Sequence, residues 1–147
     1  MGAWGIDPFG NDTACDWVYG LKAASDMSVI EESIQRVHDA RDDYLDADIA
    51  DEAIAAADVI CRLCGHFYVQ NEYTEDLDHW VQNHSHLKPS LDLIELAIRA
   101  MCRVKSEPSE LLDLWMDSDE SWLEEINGLI LRLGTLKGDQ ERVRVSR

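Results

Sequence analysis

Cys61, Cys64 and His66 are the residues of this 147-residue chain whose types and spacing come closest to a metal site. Zinc prefers thiolate and imidazole ligands, and helical spacing places the two thiols one turn apart on one side. The second close ligand pair of a structural zinc site is missing, because the other nearby histidines lie in a polar stretch: His79, His84 and His86. The two cysteines also continue an apolar stripe, so the sequence favours buried, reduced thiols and predicts no cofactor.

The N-terminal motif holds the second candidate site. Two tryptophans lie among short polar side chains that could line a binding pocket or contact a partner, namely Trp4, Asp7, Asn11, Asp12, Asp16 and Trp17. The structural interpretation is an arm in which Trp4 and Phe9 dock on the body of the protein, while Asn11 or Asp12 caps the first helix. The motif favours the docked arm, and the binding pocket stays open as the alternative.

The densest acidic run carries no clear chemistry. Six carboxylates lie close together at Asp42, Asp43, Asp46, Asp48, Asp51 and Glu52. A calcium loop needs glycine at its sixth position and glutamate at its twelfth. Counted from Asp46, no glycine stands at the sixth position and the twelfth is Ala57. Carboxylates at the start of a helix are stabilised by its positive end, so the run needs no cation. Glycine-rich phosphate loops, nucleophile elbows and dinucleotide fingerprints are absent from the sequence, which therefore assigns no catalytic residue.

The charge balance is the outlier of the composition, with 30 acidic against 13 basic residues and a formal net charge of −17 at pH 7. Such a surface repels phosphate backbones and anionic membranes, so the sequence excludes nucleic acid and membrane as partners and favours a basic protein. Residues 135–147 differ, since they carry four basic and two acidic side chains. We predict a single helical domain over residues 1–134 and a flexible, mildly basic tail over 135–147.

The apolar segments are too short for a membrane span, which needs about 18–20 residues. No charged-then-apolar leader opens the chain, and we expect a cytoplasmic protein. Apolar residues recur with helical period and predict seven helices and no strand. Their expected ranges are 12–22, 28–43, 46–64, a short helix from 74, 90–104, 106–115, and 117–134 closed by Gly134.

These elements predict an all-α fold, a single compact bundle of six to seven helices with the N-terminal arm docked on it. The third helix is rich in alanine between Ala53 and Ala57. Small side chains let a neighbouring helix approach closely, so we expect this helix to lie at the centre of the bundle.

The opening residues resemble a known family signature. Gly2-Ala3-Trp4-Gly5, Pro8-Phe9, Asn11-Asp12, Ala14 and Asp16-Trp17 are similar to the start of the bacterial domain-of-unknown-function family 4259. The alanine-rich helix ending at Gly65, the Ser109-Glu110-Leu111 segment and Trp122 resemble its middle and end. The turn differs, because Ile6-Asp7 stands where members often carry a small residue. The resemblance implies a small helical bacterial protein and assigns no activity.

Two functional hypotheses follow. The first is a non-enzymatic interaction protein, of the immunity or inhibitor kind, whose acidic helical face engages a basic partner and uses charge to raise the association rate. The alternative is a helical domain that binds a small molecule or a metal, with an enzymatic site near the N-terminal motif.

Overall fold

The computed structural model describes residues 8–68, 70–72, 74–116 and 120–145, with side chains through Arg142. The described residues form seven helices and no strand, which confirms the all-α prediction. The helices are α1 (Asp12–Leu21), α2 (Ser28–Asp39), α3 (Ala47–Leu63), α4 (Glu75–Asn83), α5 (Leu91–Val104), α6 (Glu110–Trp115) and α7 (Ser121–Val145). None of these helices is long and apolar enough to cross a membrane.

Helix α3 is the centre of the bundle, because it contacts each of the other six helices. Every residue from Ala53 to Leu63 is buried. The alanines allow the close approach that the sequence predicted. The sequence suggested one apolar face, whereas α3 is buried on all sides from Ala53 to Leu63, and this stretch includes two charged residues, Asp58 and Arg62.

The N-terminal segment enters the core through Phe9, which is 2% exposed. Asn11 then caps α1, since its side-chain oxygen accepts a hydrogen bond of 2.8 Å from the amide of Ala14. Docking of the arm is therefore confirmed at Phe9. Trp4 lies outside the described residues.

The start of α6 differs from its predicted position at residue 106. Leu45 forms an isolated parallel bridge with Ser109, in which the amide of Leu45 donates to Pro108 O at 3.2 Å and the amide of Glu110 donates to Leu45 O at 2.9 Å. This pairing holds residues 106–109 out of the helix, and Ser109 becomes the cap of α6.

The last helix continues past Gly134, so the predicted helix end there is wrong. Leu133 and Leu136 are both buried, and the side-chain amide of Gln140 donates to Pro89 O at 3.0 Å. Packing against the start of α5 outweighs the cost of about 1 kcal/mol that glycine carries inside a helix. The flexibility assigned to residues 135–147 stays a prediction.

Candidate functional site

Four charged side chains meet in the interior at the C-terminal half of α3, and we call them the ion network: Asp58, Arg62, Asp78 and Arg132. The Arg62 Nε donates to Asp58 Oδ1 at 2.5 Å, and its Nη1 donates to Asp78 Oδ1 on α4 at 2.5 Å. Arg132 Nη1 on α7 lies 3.4 Å from Asp58 Oδ2. Two positive and two negative charges therefore balance one another.

Aromatic rings cover both guanidinium groups of the ion network. The Arg62 guanidinium lies 5.4 Å from the ring centroid of Phe9 and 5.6 Å from that of Phe67. The Arg132 guanidinium lies 4.6 Å from the ring of Tyr68. These distances are those of cation–π contacts, which strengthen when water is excluded. The N-terminal segment and the connection between α3 and α4 thus meet at Arg62.

The second carboxylate oxygen of Asp78 is hydrogen-bonded by two residues that lie just before α4. It accepts from Thr74 Oγ1 at 3.3 Å and from the side-chain amide of Gln70 at 3.4 Å. Among the described residues, every buried side-chain nitrogen or oxygen has a hydrogen-bond partner. A buried ion network needs such completeness, because an unpaired charge there is strongly unfavourable. Its arrangement therefore stabilises one packing of the helices and offers no obvious reactive group.

Sequence reasoning missed the ion network. The available signal was the spacing of Asp58 and Arg62, which are four residues apart inside an otherwise apolar helix and so lie on one face. Asp78 and Arg132 carry no such signal, because they come from two other helices.

A second charged region, which we call the acidic face, lies at the N-terminal end of α3 and comprises Asp46, Asp48, Asp51, Glu52, Glu110 and Asp113. Glu110 joins α6 to α3, since its Oε1 accepts from the amide of Ala47 at 2.8 Å. The hydroxyl of Tyr44 donates to Asp113 Oδ2 at 3.2 Å. Carboxylates from two helices thus converge around an exposed tyrosine.

Asp51 is the most perturbed member of the acidic face. Burial, together with the charges of Asp48, Glu110 and Glu52, raises the pKa of Asp51 to about 7. An opposite charge nearby would have lowered this pKa. The shift therefore reports burial of Asp51 first, and the like charges beside it second.

Arg103 fixes the two loops that lead into α3 and α6, the helices that carry most of the acidic face. Its guanidinium donates to four backbone carbonyl oxygens at 2.7–3.0 Å, those of Arg41, Asp43, Ser106 and Pro108. The planar fork of arginine suits such multiple bonding. The loops between α2 and α3 and between α5 and α6 are consequently tied into one unit.

The residues predicted at the N-terminal motif have separate surroundings. Trp17 is buried, and its Nε1 donates to Ser33 Oγ at 2.8 Å, whereas Asp12 and Asp16 are exposed. Asn11 serves as the cap of α1. Asp7, like Trp4, lies outside the described residues. A pocket shared by these residues stays a prediction.

The predicted metal ligands behave as packed side chains. Cys61 is buried, and burial raises the pKa of its thiol to about 12. Burial also raises the pKa of Cys64, and a protonated thiol is a poor metal ligand. In the part of the chain that the structure describes, including His66, no group of three or more His, Cys, Asp or Glu side chains is placed to hold a metal ion.

A groove of about 320 Å³ lies between the end of α1 and α4. The imidazole of His84 stacks on Trp80 along it, with centroids 4.3 Å apart. The Lys22 ammonium is paired with Asp76 at 3.0 Å. The positive charge of Lys22 in the groove is thus already neutralised by Asp76.

The buried ion network and the acidic face define an all-helical protein whose charges are divided between interior and surface. The family model of the domain of unknown function DUF4259 matches residues 2–125, and the chain belongs to this family, as the opening residues predicted. The match includes Asp58, Arg62 and Asp78, while Arg132 lies beyond it. Neither the comparison with curated proteins nor that with solved structures gives a match.

Proposed function

We propose that this protein is a non-enzymatic, cytoplasmic interaction protein of the immunity or inhibitor kind, whose acidic face binds a basic protein. The observation that carries the proposal is the division of charge within the fold. Arg62 is buried in the ion network, where Asp58 and Asp78 balance its charge, and acidic residues outnumber basic ones by 30 to 13. The surface carboxylates therefore dominate the field that an approaching protein meets.

The composition of the acidic face supports a protein partner. Tyr44 is 53% exposed and lies beside Asp113 and Glu110. Tyrosine is enriched among residues that contribute most to protein interfaces, and carboxylates accept the paired hydrogen bonds of arginine. Arg103 holds the supporting loops in place, which lowers the entropy lost when a partner binds.

Charge crowding at Asp51 supports a cationic partner in particular. A lysine or arginine placed over the face relieves the repulsion that, after burial, raises the pKa of Asp51. Binding of a cation favours the ionised carboxylate, so protonation of Asp51 weakens the complex. We expect affinity to be higher at pH 8 than at pH 6, and to fall with added salt.

The test is capture of a partner from a lysate of the native host, followed by measurement of the association rate. A variant with Asp46→Asn, Asp48→Asn and Asp113→Asn keeps side-chain shape and removes three charges. We expect the association rate of the recovered basic protein to fall by about tenfold at low salt.

The matched control is a variant with Glu32→Gln, Asp92→Asn and Glu124→Gln, which removes the same charge from exposed positions on α2, α5 and α7. The proposal expects this control to bind nearly as fast as the unmodified protein. Equal losses in both variants would reduce the effect to net charge and overturn the acidic face as the site. Failure to recover a basic partner at low salt would overturn the proposed function itself.

A further inference from the structure

Arg62 is the point at which the N-terminal segment touches the connection between α3 and α4. The ring of Phe9 lies on the guanidinium from the N-terminal side of the chain, and the ring of Phe67 lies on it from the connection. The two rings are 58 residues apart in sequence and share this one cation. Phe9 is almost fully buried, whereas Phe67 is 38% exposed.

Each of the two segments is also held by bonds of its own. The thiol of Cys15 lies 3.6 Å from Phe9 O, which ties the N-terminal segment to α1. On the other side, the side-chain amide of Gln70 reaches Asp78, and Asp78 pairs with Arg62. The path from one segment to the other therefore runs through ion pairs and ring contacts of the same guanidinium.

A buried guanidinium makes these contacts mutually dependent. Its charge is stable in the interior only while its ion pairs and its aromatic cover are complete. Loss of one ring admits water to the cation, which weakens its attraction to the second ring and to Asp58 and Asp78. Groups that share one network in this way show energies that do not add.

We propose that Arg62 couples the N-terminal segment to the α3–α4 connection, so that loosening either one loosens the other. The coupling is reciprocal by thermodynamic necessity. A ligand that displaces Phe9 would thus loosen Phe67, while Tyr68 keeps its own hydrogen bond to Glu125 on α7. A ligand that binds Phe67 and Tyr68 would in turn change the hold on Phe9.

Amide hydrogen exchange of the full chain tests the coupling. Phe9→Leu keeps an apolar side chain and removes the ring from Arg62. In the connection, the amide of His66 donates to Cys61 O and that of Thr74 donates to Asn71 O. We expect both amides to exchange about threefold faster in this variant. Phe67→Leu should in the same way accelerate exchange at Cys15, whose amide donates to Asn11 O at the start of α1.

The control is Val37→Ala, which opens a cavity at a fully buried position on α2. The neighbouring Arg36 pairs with Glu52, which places this part of α2 beside the N-terminal half of α3, away from Arg62. The control should leave the exchange of His66 and Thr74 unchanged. An equal acceleration in Phe9→Leu and Val37→Ala would reduce the effect to a general loss of stability and overturn the proposal.

A double-mutant cycle provides a second readout. The changes in the unfolding equilibrium constant caused by Phe9→Leu and Phe67→Leu should fail to multiply, with a deviation of about threefold. The cycle that combines Phe9→Leu with Val37→Ala should multiply within error. Multiplicative behaviour in both cycles would show that Arg62 transmits nothing between the segments.

Discussion

The two ends of α3 use charge in opposite ways. At its N-terminal end, carboxylates from α3 and α6 lie close together, and burial together with these neighbouring charges raises the pKa of Asp51 to about 7. In its C-terminal half, Asp58 and Arg62 are fully buried and joined to Asp78 and Arg132. Pairing and burial, more than the number of charges, decide whether a charged residue stabilises the fold or remains available to a partner.

Removal of the Arg62 charge should produce the largest effect. Arg62→Met keeps much of the side-chain volume but leaves Asp58 buried without its closest cation and Asp78 without its ion pair. We expect the free energy of unfolding to fall by about 3–5 kcal/mol, as measured by urea denaturation. A loss below about 1 kcal/mol would mean that the network contributes no more than a surface ion pair.

Removal of the Asp51 charge at the N-terminal end of α3 should increase the stability of the protein. The pKa of Asp51 is raised to about 7 in the folded protein, from an ordinary value of 3.8. The unfolded chain therefore loses this proton first, and the resulting cost to stability builds up as pH rises from about 4 to about 7. Asp51→Asn should raise the free energy of unfolding by about 1–2 kcal/mol at pH 8, allowing for solvent screening.

The same variant should gain little at pH 4, where the carboxyl group is protonated in the folded protein and about 40% protonated in the unfolded chain. Urea denaturation at the two pH values checks this difference. A gain that is equal at pH 4 and pH 8 would point to packing of the asparagine and away from charge.

Added salt should change the effects of substitutions at the two ends of α3 to different extents. Exposed charges are screened at high ionic strength, whereas buried pairs are screened much less. In about 1 M NaCl the gain from Asp51→Asn should shrink by the part that comes from the neighbouring carboxylates, while the part that comes from burial should remain and the loss from Arg62→Met should keep most of its size. Denaturation of both variants at low and high salt measures this contrast, and parallel changes would contradict it.

The smallest effect is expected at Tyr44. Its hydroxyl bonds to Asp113 at the surface, so Tyr44→Phe should change the free energy of unfolding by less than about 0.5 kcal/mol. Thermal denaturation can check this value. A larger loss would mean that Tyr44 supports the fold, and it would weaken the case for Tyr44 as a contact for the partner.

Local sequence patterns predicted much of the fold. The alanines of α3 predicted its central position, and Asn11 was one of two candidate caps for α1. The ends of helices failed where a distant segment intervened: Leu45 holds residues before α6 out of the helix, and packing on α5 carries α7 past Gly134. Local propensity contains no information about such partners.

The candidate site was predicted less well for the same reason. The acidic run around Asp48 was visible in the sequence, but Glu110 and Asp113 join it through the fold. The ion network depends on contacts from Arg62 to Asp78 and from Asp58 to Arg132, which are 16 and 74 residues apart. The i, i+4 spacing of Asp58 and Arg62 marks a pair, and only the packing of α4 and α7 turns the pair into a network.

The bonds of Arg103 have an implication for how this protein can change its sequence. All four acceptors are backbone carbonyl oxygens, which every amino acid provides. The side chains of Asp43 and Ser106 can therefore be exchanged without removing any acceptor of Arg103. Exposed positions of both loops can therefore acquire new side chains while the path of the loops persists, so the surface beside the acidic face can change in sequence at little cost to folding.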